Sequence, residues 1–177
     1  MMSSSMRTFA LQQVSNEFAR DNAKRTLDKP IDLKHVRKYM SAETFARLES
    51  ACPNGTVFVW GAKLERMHQT IMMWPRDTLF LFRRGKTIFK IGVVAETVES
   101  EALAESLWGE DPTDGETWGS IFFFSRLVDR QSSAARVNAA LGRSEKDHWQ
   151  GLVAVRVRET EKMKAFFERQ LSGATGE

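Results

Sequence analysis

The chain has 177 residues, of which 42% are hydrophobic and 28% are charged, and its formal net charge is +3. This composition is typical of a globular domain and excludes a collagen-like, coiled-coil or largely disordered chain. The single cysteine, Cys52, excludes an internal disulfide framework and a cysteine-based zinc cluster. No apolar run approaches the roughly 20 residues of a membrane-spanning helix. The first residues lack the apolar core of a secretory signal, so we expect no secretion.

The charges are distributed unevenly along the chain. Residues 51–95 carry 7 basic and 2 acidic side chains, whereas residues 96–125 carry 8 acidic side chains and no basic one. A segment of one sign indicates a surface of that sign, and basic surfaces often contact phosphate groups. Solvated surface charge explains the same pattern, so charge alone does not identify a ligand.

Residues 8–50 are predicted to be helical, because apolar side chains recur there at the spacing of one helix face. The first of these side chains are Phe9, Leu11, Val14 and Phe18. Pro30 interrupts the pattern, and Ser41 is a suitable N-cap for a further helix that continues through Leu48. This part of the chain is therefore predicted to be a helical extension.

After a Pro-Asn-Gly turn the pattern changes to β-branched and aromatic residues, which favour strands. Strands are predicted at 56–60, 78–82, 87–94, 119–128 and 150–158, with a hairpin turn at 83–86. Helices are predicted at 63–72, 99–108, 132–141 and 160–171. The order predicts an α+β fold: a small, strongly bent mixed sheet or open β-barrel with surrounding helices. We divide the chain into an N-terminal helical extension (1–54), a sheet domain (55–171) and a tail or linker (172–177).

Little in the sequence supports an independent catalytic or metal centre. The three histidines are far apart in the chain: His35, His68 and His148. An acidic segment containing Asp111 and Asp114 could bind a cation, but Pro112 interrupts the spacing of a calcium-binding loop. We expect no catalytic residue, no bound metal and no cofactor.

Five tryptophans are many for a chain with one tyrosine, and three of them directly precede a glycine. These three are Trp60, Trp108 and Trp118. A glycine beside an aromatic ring lets backbone or a flat ligand approach that ring. Because each tryptophan lies at an end of a predicted element, the three rings are expected to meet, either as an aromatic pocket or as a cap on the core.

Five short motifs occur in order along the chain. They are Val57–Ala62, Arg76–Phe82, Ile91–Val94, Ala104–Gly109 and Thr117–Phe123. Their order and spacing resemble the EVE/YTH-like branch of the PUA superfamily, and most of all the version that reads DNA in modification-dependent restriction systems. The resemblance covers about residues 55–158. It implies a PUA/EVE/YTH-like fold and a binding domain rather than an enzyme.

The resemblance also implies a pocket for a modified base. In YTH domains, tryptophans form a cage around a methylated base; Trp60 matches the first position, Trp108 the second and Trp118 approximately a third. Backbone and polar groups that would complete the pocket are Gly61, Ala62, Ser120 and Asn138. Extruding a base costs a few kcal/mol, and stacking on aromatic faces returns about 1–3 kcal/mol per base.

Basic residues near these motifs are candidates for contacts with the nucleic-acid backbone. They are Lys63, Arg66, Arg83, Arg84, Lys86, Arg130 and Arg136. The basic hairpin tip is also an ordinary exposed turn, so its role is open on sequence alone.

Together these observations predict a reader that flips a modified DNA base into a tryptophan cage. Its setting would be the cytoplasm of a prokaryote, as the specificity module of a modification-dependent restriction or defence system, fused to or partnered with a nuclease and without a membrane partner. Three alternatives stay open: a PUA/YTH-type module for a modified RNA base, a self-contained nuclease, and an interaction domain that assembles through residues 1–50. The base also stays open between 5-methylcytosine, a bulkier cytosine derivative and N6-methyladenine.

Overall fold

The computed structural model describes residues 5–64 and 76–173. Within these residues the strands are β1 (Met6–Gln13), β2 (Ile31–Asp32), β3 (Thr56–Ala62), β4 (Leu79–Arg84), β5 (Thr87–Glu99), β6 (Ser120–Ser133) and β7 (Leu152–Arg158). The helices are α1 (Glu17–Thr26), α2 (Leu33–Val36), α3 (Ala42–Ala51), α4 (Glu101–Trp108), α5 (Ala134–Ala140) and α6 (Glu161–Ser172), with a 3-10 turn at Arg37–Tyr39. The helix predicted over 63–72 lies almost entirely outside the described residues.

The seven strands are hydrogen-bonded in the order β2-β3-β6-β5-β4-β1-β7. Strand β1 runs parallel to β4 and antiparallel to β7, whereas β3 runs antiparallel to both β2 and β6. The sheet is therefore mixed, and it is open because β2 and β7 are its two edges. The predicted α+β fold with an open mixed sheet is confirmed. The predicted hairpin is also present, with Gly85 at φ +60° in the two-residue turn between β4 and β5.

Strand β1 corrects the helical prediction for the start of the chain. Phe9, Ala10 and Leu11 are all fully buried, and successive side chains of a strand point to opposite faces. Both faces of β1 are therefore covered, and a strand buried on both faces loses the alternation that marks a strand in the sequence. The prediction of a helix was wrong for residues 8–13; Phe18, by contrast, does lie in a helix, α1.

Contacts divide the described chain into two compact units. Unit 1 comprises residues 5–15, 78–92 and 128–173, and unit 2 comprises residues 16–64, 76–77 and 93–127. The boundary that we predicted after residue 54 falls inside unit 2. Both units are assembled from segments that are distant in sequence.

In unit 1, β1 and β4 supply the core and α6 packs on it. Phe80 and Phe82 of β4 are fully buried and their rings stack at 4.8 Å between centroids. The ring of Phe167 from α6 lies 4.8 Å from that of Phe9 in β1. Thr160 caps the start of helix α6, and its hydroxyl accepts a hydrogen bond from the Met163 backbone. The contact between Phe167 and Phe9 therefore packs the amphipathic α6 against the core.

In unit 2, β3 and β6 pair in register from Phe58 opposite Phe124 to Ala62 opposite Ser120. Side chains capping the helices fix their starts: Asn16 caps α1, Ser100 caps α4, and Ser41 caps α3 as predicted. A cap of this kind stabilises a helix by about 1 kcal/mol. Cys52 is buried, and burial raises the pKa of its thiol.

Replacing Phe167 by alanine tests the docking of α6. We expect Phe167→Ala to lower the free energy of unfolding by about 3–5 kcal/mol, because it removes a buried aromatic ring and leaves a cavity. Phe166→Ala is the matched control, since that neighbouring ring is partly exposed and its loss should cost clearly less. Urea denaturation measures both values; an equal cost for the two variants would contradict the packing described here.

Candidate functional site

The structure brings three tryptophans together in unit 2. Trp60 lies near the end of β3, Trp108 ends α4, and Trp118 stands just before β6. The ring centroids of Trp60 and Trp118 are 4.9 Å apart, and those of Trp108 and Trp118 are 5.7 Å apart. We call these three residues the tryptophan cluster. The ring of Trp118 contacts the rings of both Trp60 and Trp108.

The rings of the tryptophan cluster pack against one another. Trp60 is 1% exposed, Trp108 is 3% exposed and Trp118 is 8% exposed. Phe18 of α1 adds an edge-on contact with Trp118, with ring centroids 5.2 Å apart. A base stacked between two rings needs their planes about 7 Å apart, twice the carbon contact distance of roughly 3.5 Å. The tryptophan cluster is therefore closed: its rings leave no such gap, and one of them must move before a base can lie between two rings.

Gly61 permits this close packing. A Cβ atom at this position would lie 2.5 Å from Cζ3 of Trp108 and 2.9 Å from Cβ of Trp118. Both distances are too short for any side chain, so only glycine lets the backbone of β3 approach these rings. The next residue, Ala62, is partly buried and pairs with Ser120 of β6.

Helix α1 holds the indole of Trp108 in place. The Nε1 of Trp108 donates a hydrogen bond to Oγ1 of Thr26 over 3.1 Å, in a buried position. The guanidinium of Arg25 donates to the backbone carbonyl of Trp108 over 3.4 Å. Sequence reasoning missed this contribution because α1 lies outside the family resemblance. The available signal was a polar residue, Thr26, on the apolar face of a helix.

Two buried side chains in unit 2 have polar atoms without hydrogen-bond partners among the described residues. One is Ser120, a predicted pocket residue, whose hydroxyl is fully buried. The other is Asn22 of α1, in which both the amide oxygen and the amide nitrogen are unpaired. Leaving a buried polar group unpaired costs about 1–3 kcal/mol, so both positions call for a physical reason.

The predicted pocket residue Asn138 lies in unit 1. Its amide nitrogen donates to the carbonyl of Asp147 over 3.1 Å, and its amide oxygen accepts from the indole of Trp149 over 2.9 Å. Arg83 joins the same network: it donates to the carbonyl of Asp147 over 2.7 Å and lies over the ring of Trp149. Burial lowers the pKa of the Arg83 guanidinium. Both Asn138 and Arg83 are thus engaged within the fold.

The remaining predicted backbone contacts differ in exposure. Arg84, Lys86 and Arg136 are exposed in unit 1. Arg130 is partly buried and donates to the carbonyls of Gln170 and Asp129. Arg66 lies outside the described residues.

Lys63, at the end of β3, forms ion pairs with the acidic loop between α4 and β6. Its ammonium lies 3.1 Å from a carboxylate oxygen of Asp111 and also bonds Asp114. The hydrogen bond from Lys63 lowers the pKa of Asp114. Burial alone would raise the pKa of Asp111, but hydrogen bonds from Thr113 and Lys63 outweigh it and the pKa is lowered. The acids that suggested a cation site are therefore engaged with a lysine.

The described part of the chain contains neither a cluster of metal-binding side chains nor a helix that could cross a membrane. There, no group of three or more histidine, cysteine, aspartate and glutamate side chains is arranged to hold a metal ion. None of the helices in residues 5–64 and 76–173 combines the length and the apolar character that a membrane span requires.

Comparison with known proteins finds a similarity among solved structures. No protein-family model matches the sequence, and no curated protein matches it. Among solved structures, the chain is similar to the N-terminal domain of Thermococcus gammatolerans McrB bound to m5C DNA, with a TM-score of 0.64 and 17% sequence identity. The match covers 96% of this chain and 100% of that one. At this identity the similarity shows the fold alone: the chain shares the fold of that domain, in agreement with the α+β fold and open mixed sheet expected from the sequence.

The ion pairs of Lys63 predict a pH dependence of stability. Because the folded-state pKa values of Asp111 and Asp114 are lowered, their stabilisation is fully present above the ordinary aspartate pKa of about 4. It is lost as the pH falls through the lower folded-state values. Lys63→Met should therefore be less stable than the wild type at pH 7, and the difference should shrink below pH about 4 in thermal unfolding. A difference that stays constant down to pH about 2 would contradict the ion pairs.

Proposed function

We propose that the chain is a non-enzymatic reader of a modified base in DNA. The observation that carries the proposal is the tryptophan cluster, closed over a glycine-bearing strand end, in a chain that shares the fold of a domain solved with m5C DNA. Aromatic faces are the general means by which proteins hold a base outside the stack. The modified base would be extruded from the duplex and held by Trp60, Trp108 and Trp118.

The closed cluster implies that binding includes a ring movement. Trp118 is the most exposed of the three rings, and it follows the acidic loop, in which Gly109 and Gly115 have φ angles of +74° and +72°. We infer that Trp118 moves aside and then stacks on the base. Trp108 stays in place, because its indole is hydrogen-bonded to Thr26.

Lys63 links this movement to the phosphate backbone. Its partner Asp114 is the more exposed of its two acids, with a side-chain exposure of 38% against 11% for Asp111. A phosphate near Lys63 would compete with Asp114 for the ammonium and loosen the loop that precedes Trp118. In this proposal Asp111 and Asp114 reduce the attraction of Lys63 to the phosphates of plain DNA. Most of the binding affinity then comes from contacts with the modified base.

The biological setting follows the same proposal. A reader of this kind would act as the specificity module of a prokaryotic restriction or defence system, in the cytoplasm and with a fused or partner nuclease. The base edge would be read by backbone near Gly61 and Ala62 and by Ser120; a role for Asn138 would require it to exchange one of its present hydrogen bonds. Phosphate contacts are proposed for Lys63 and Arg66 and, in unit 1, for Arg84, Lys86, Arg130 and Arg136. A phosphate contact by Arg83 would require it to leave the carbonyl of Asp147 and the ring of Trp149.

Replacing Trp118 by alanine tests the proposed function. We expect Trp118→Ala to weaken binding to a duplex with one 5-methylcytosine or N6-methyladenine by about tenfold or more, because stacking contributes about 1–3 kcal/mol per base. Binding to the plain duplex should stay unchanged, so that the preference for modified DNA disappears. Fluorescence anisotropy with matched duplexes measures both affinities.

The control for this experiment is Phe167→Ala, which weakens the core of unit 1 but leaves the tryptophan cluster intact. Measured at a temperature where both variants are folded, it should keep the preference for modified DNA. A preference that survives in Trp118→Ala would refute the cage. A matched RNA oligonucleotide that binds more tightly than the DNA would instead support the RNA-binding alternative.

A second test concerns the phosphate contacts at the hairpin. Replacing Arg84 and Lys86 together by glutamine should weaken binding to modified and plain duplexes by the same factor. The slope of log affinity against log salt should become shallower by about 0.9 for each phosphate group that the variant no longer neutralises. An unchanged salt slope would remove these two residues from the interface, and a selective loss for the modified duplex would assign them to base recognition instead.

A further inference from the structure

A buried side-chain amide on α1 forms no hydrogen bond within the described residues. Asn22 is 1% exposed, and neither its oxygen nor its nitrogen finds a hydrogen-bond partner among the described residues. An apolar side chain of the same shape would avoid the cost of about 1–3 kcal/mol that an unpaired buried polar group imposes. Packing alone therefore gives no reason for an amide at this position.

Asn22 lies on the face of α1 that meets the tryptophan cluster. Phe18, one turn earlier, contacts Trp118 edge-on. Thr26, one turn later, accepts the hydrogen bond from the indole of Trp108. Residues four apart on a helix share one face, so the side chain of Asn22 lies on the helix face that carries these two contacts.

The unpaired hydroxyl of Ser120 is a second observation of the same kind. Ser120 lies two residues after Trp118, and in the β3–β6 pairing it stands opposite Ala62. Residues paired across strands share a sheet face and residues two apart in a strand do so as well, so Ser120 lies on the face that carries Trp60. Unpaired polar atoms thus occur on two separate elements beside the tryptophan cluster.

We propose that Asn22 reads the polar edge of the base held by the tryptophan cluster. An amide presents one acceptor beside one donor, and it pairs with a base edge that offers a donor beside an acceptor. Cytosine and adenine both present an exocyclic amino group next to a ring nitrogen. The base would satisfy the amide, which explains why the free chain leaves it unpaired. This inference rests on the proposed function, because the amide needs an extruded base.

The substitution Asn22→Leu separates binding from stability. Leucine has nearly the same size and removes both unpaired atoms, so the melting temperature should stay the same or rise. The affinity for a duplex with one 5-methylcytosine or N6-methyladenine should fall about tenfold or more, because the base edge then loses its partner. Thermal unfolding and fluorescence anisotropy give the two values. Asn22→Ala is a second variant, smaller and favourable in a helix, with the same expected loss of affinity.

Two controls make the result specific. A duplex with an abasic site in place of the modified nucleotide keeps the phosphates but offers no base edge, and wild type and Asn22→Leu should bind it equally. Asn54→Ala, which removes an exposed asparagine in a turn of the same unit, should leave every affinity unchanged.

Unchanged affinity of both Asn22 variants for the modified duplexes would overturn the proposal. An equal loss on the abasic duplex would overturn it as well, because the effect would then act through the fold. Failure of the proposed function looks different, since the wild type itself would show no preference for either modified duplex over the plain one.

Discussion

The contact between Gly61 and the indole of Trp108 is the constraint on which the site depends. With no side chain at Gly61, the indole packs directly on the backbone of β3, and Trp118 packs against both. Trp60, on the same strand, is brought to Trp118 by this arrangement. Helix α1 adds two contacts to the cluster: Phe18 packs on the ring of Trp118, and Thr26 accepts a hydrogen bond from the indole of Trp108. A single glycine thus allows strand, helix and loop residues to meet.

A closed cluster with unpaired polar atoms beside it is poorly explained as core packing alone. Packing would favour apolar side chains in place of Asn22 and the hydroxyl of Ser120. The proposed binding site would explain both the packed rings and the unpaired atoms, because a ligand would separate the rings and supply the missing partners. In the proposed reader, the ion pairs of Lys63 with the acidic loop would also weaken attraction to plain DNA.

Local patterns in the sequence predicted much of this arrangement. The β-branched and aromatic runs identified β3 and the β4–β5 hairpin, and the Trp-Gly pairs identified the rings that meet. The strand β1 was missed because burial on both faces removes its alternation. The partners of single side chains were also out of reach: the bond from Trp108 to Thr26 joins residues 82 positions apart, and Arg83 at the hairpin is buried against Trp149 rather than exposed. Such contacts depend on the folded topology: a polar residue on an apolar helix face, such as Thr26, indicates that a partner exists but does not identify it.

The central claim is that a modified base leaves the duplex and lodges in the tryptophan cluster. The most direct measurement is the fluorescence of a 2-aminopurine placed beside a single modified base in a DNA duplex, since this fluorescence rises when stacking with its neighbour is lost. Titration with the wild-type chain should raise this fluorescence for the modified duplex and change it little for the plain one. An equal response of both duplexes, or tight binding of the modified duplex without any rise, would contradict it.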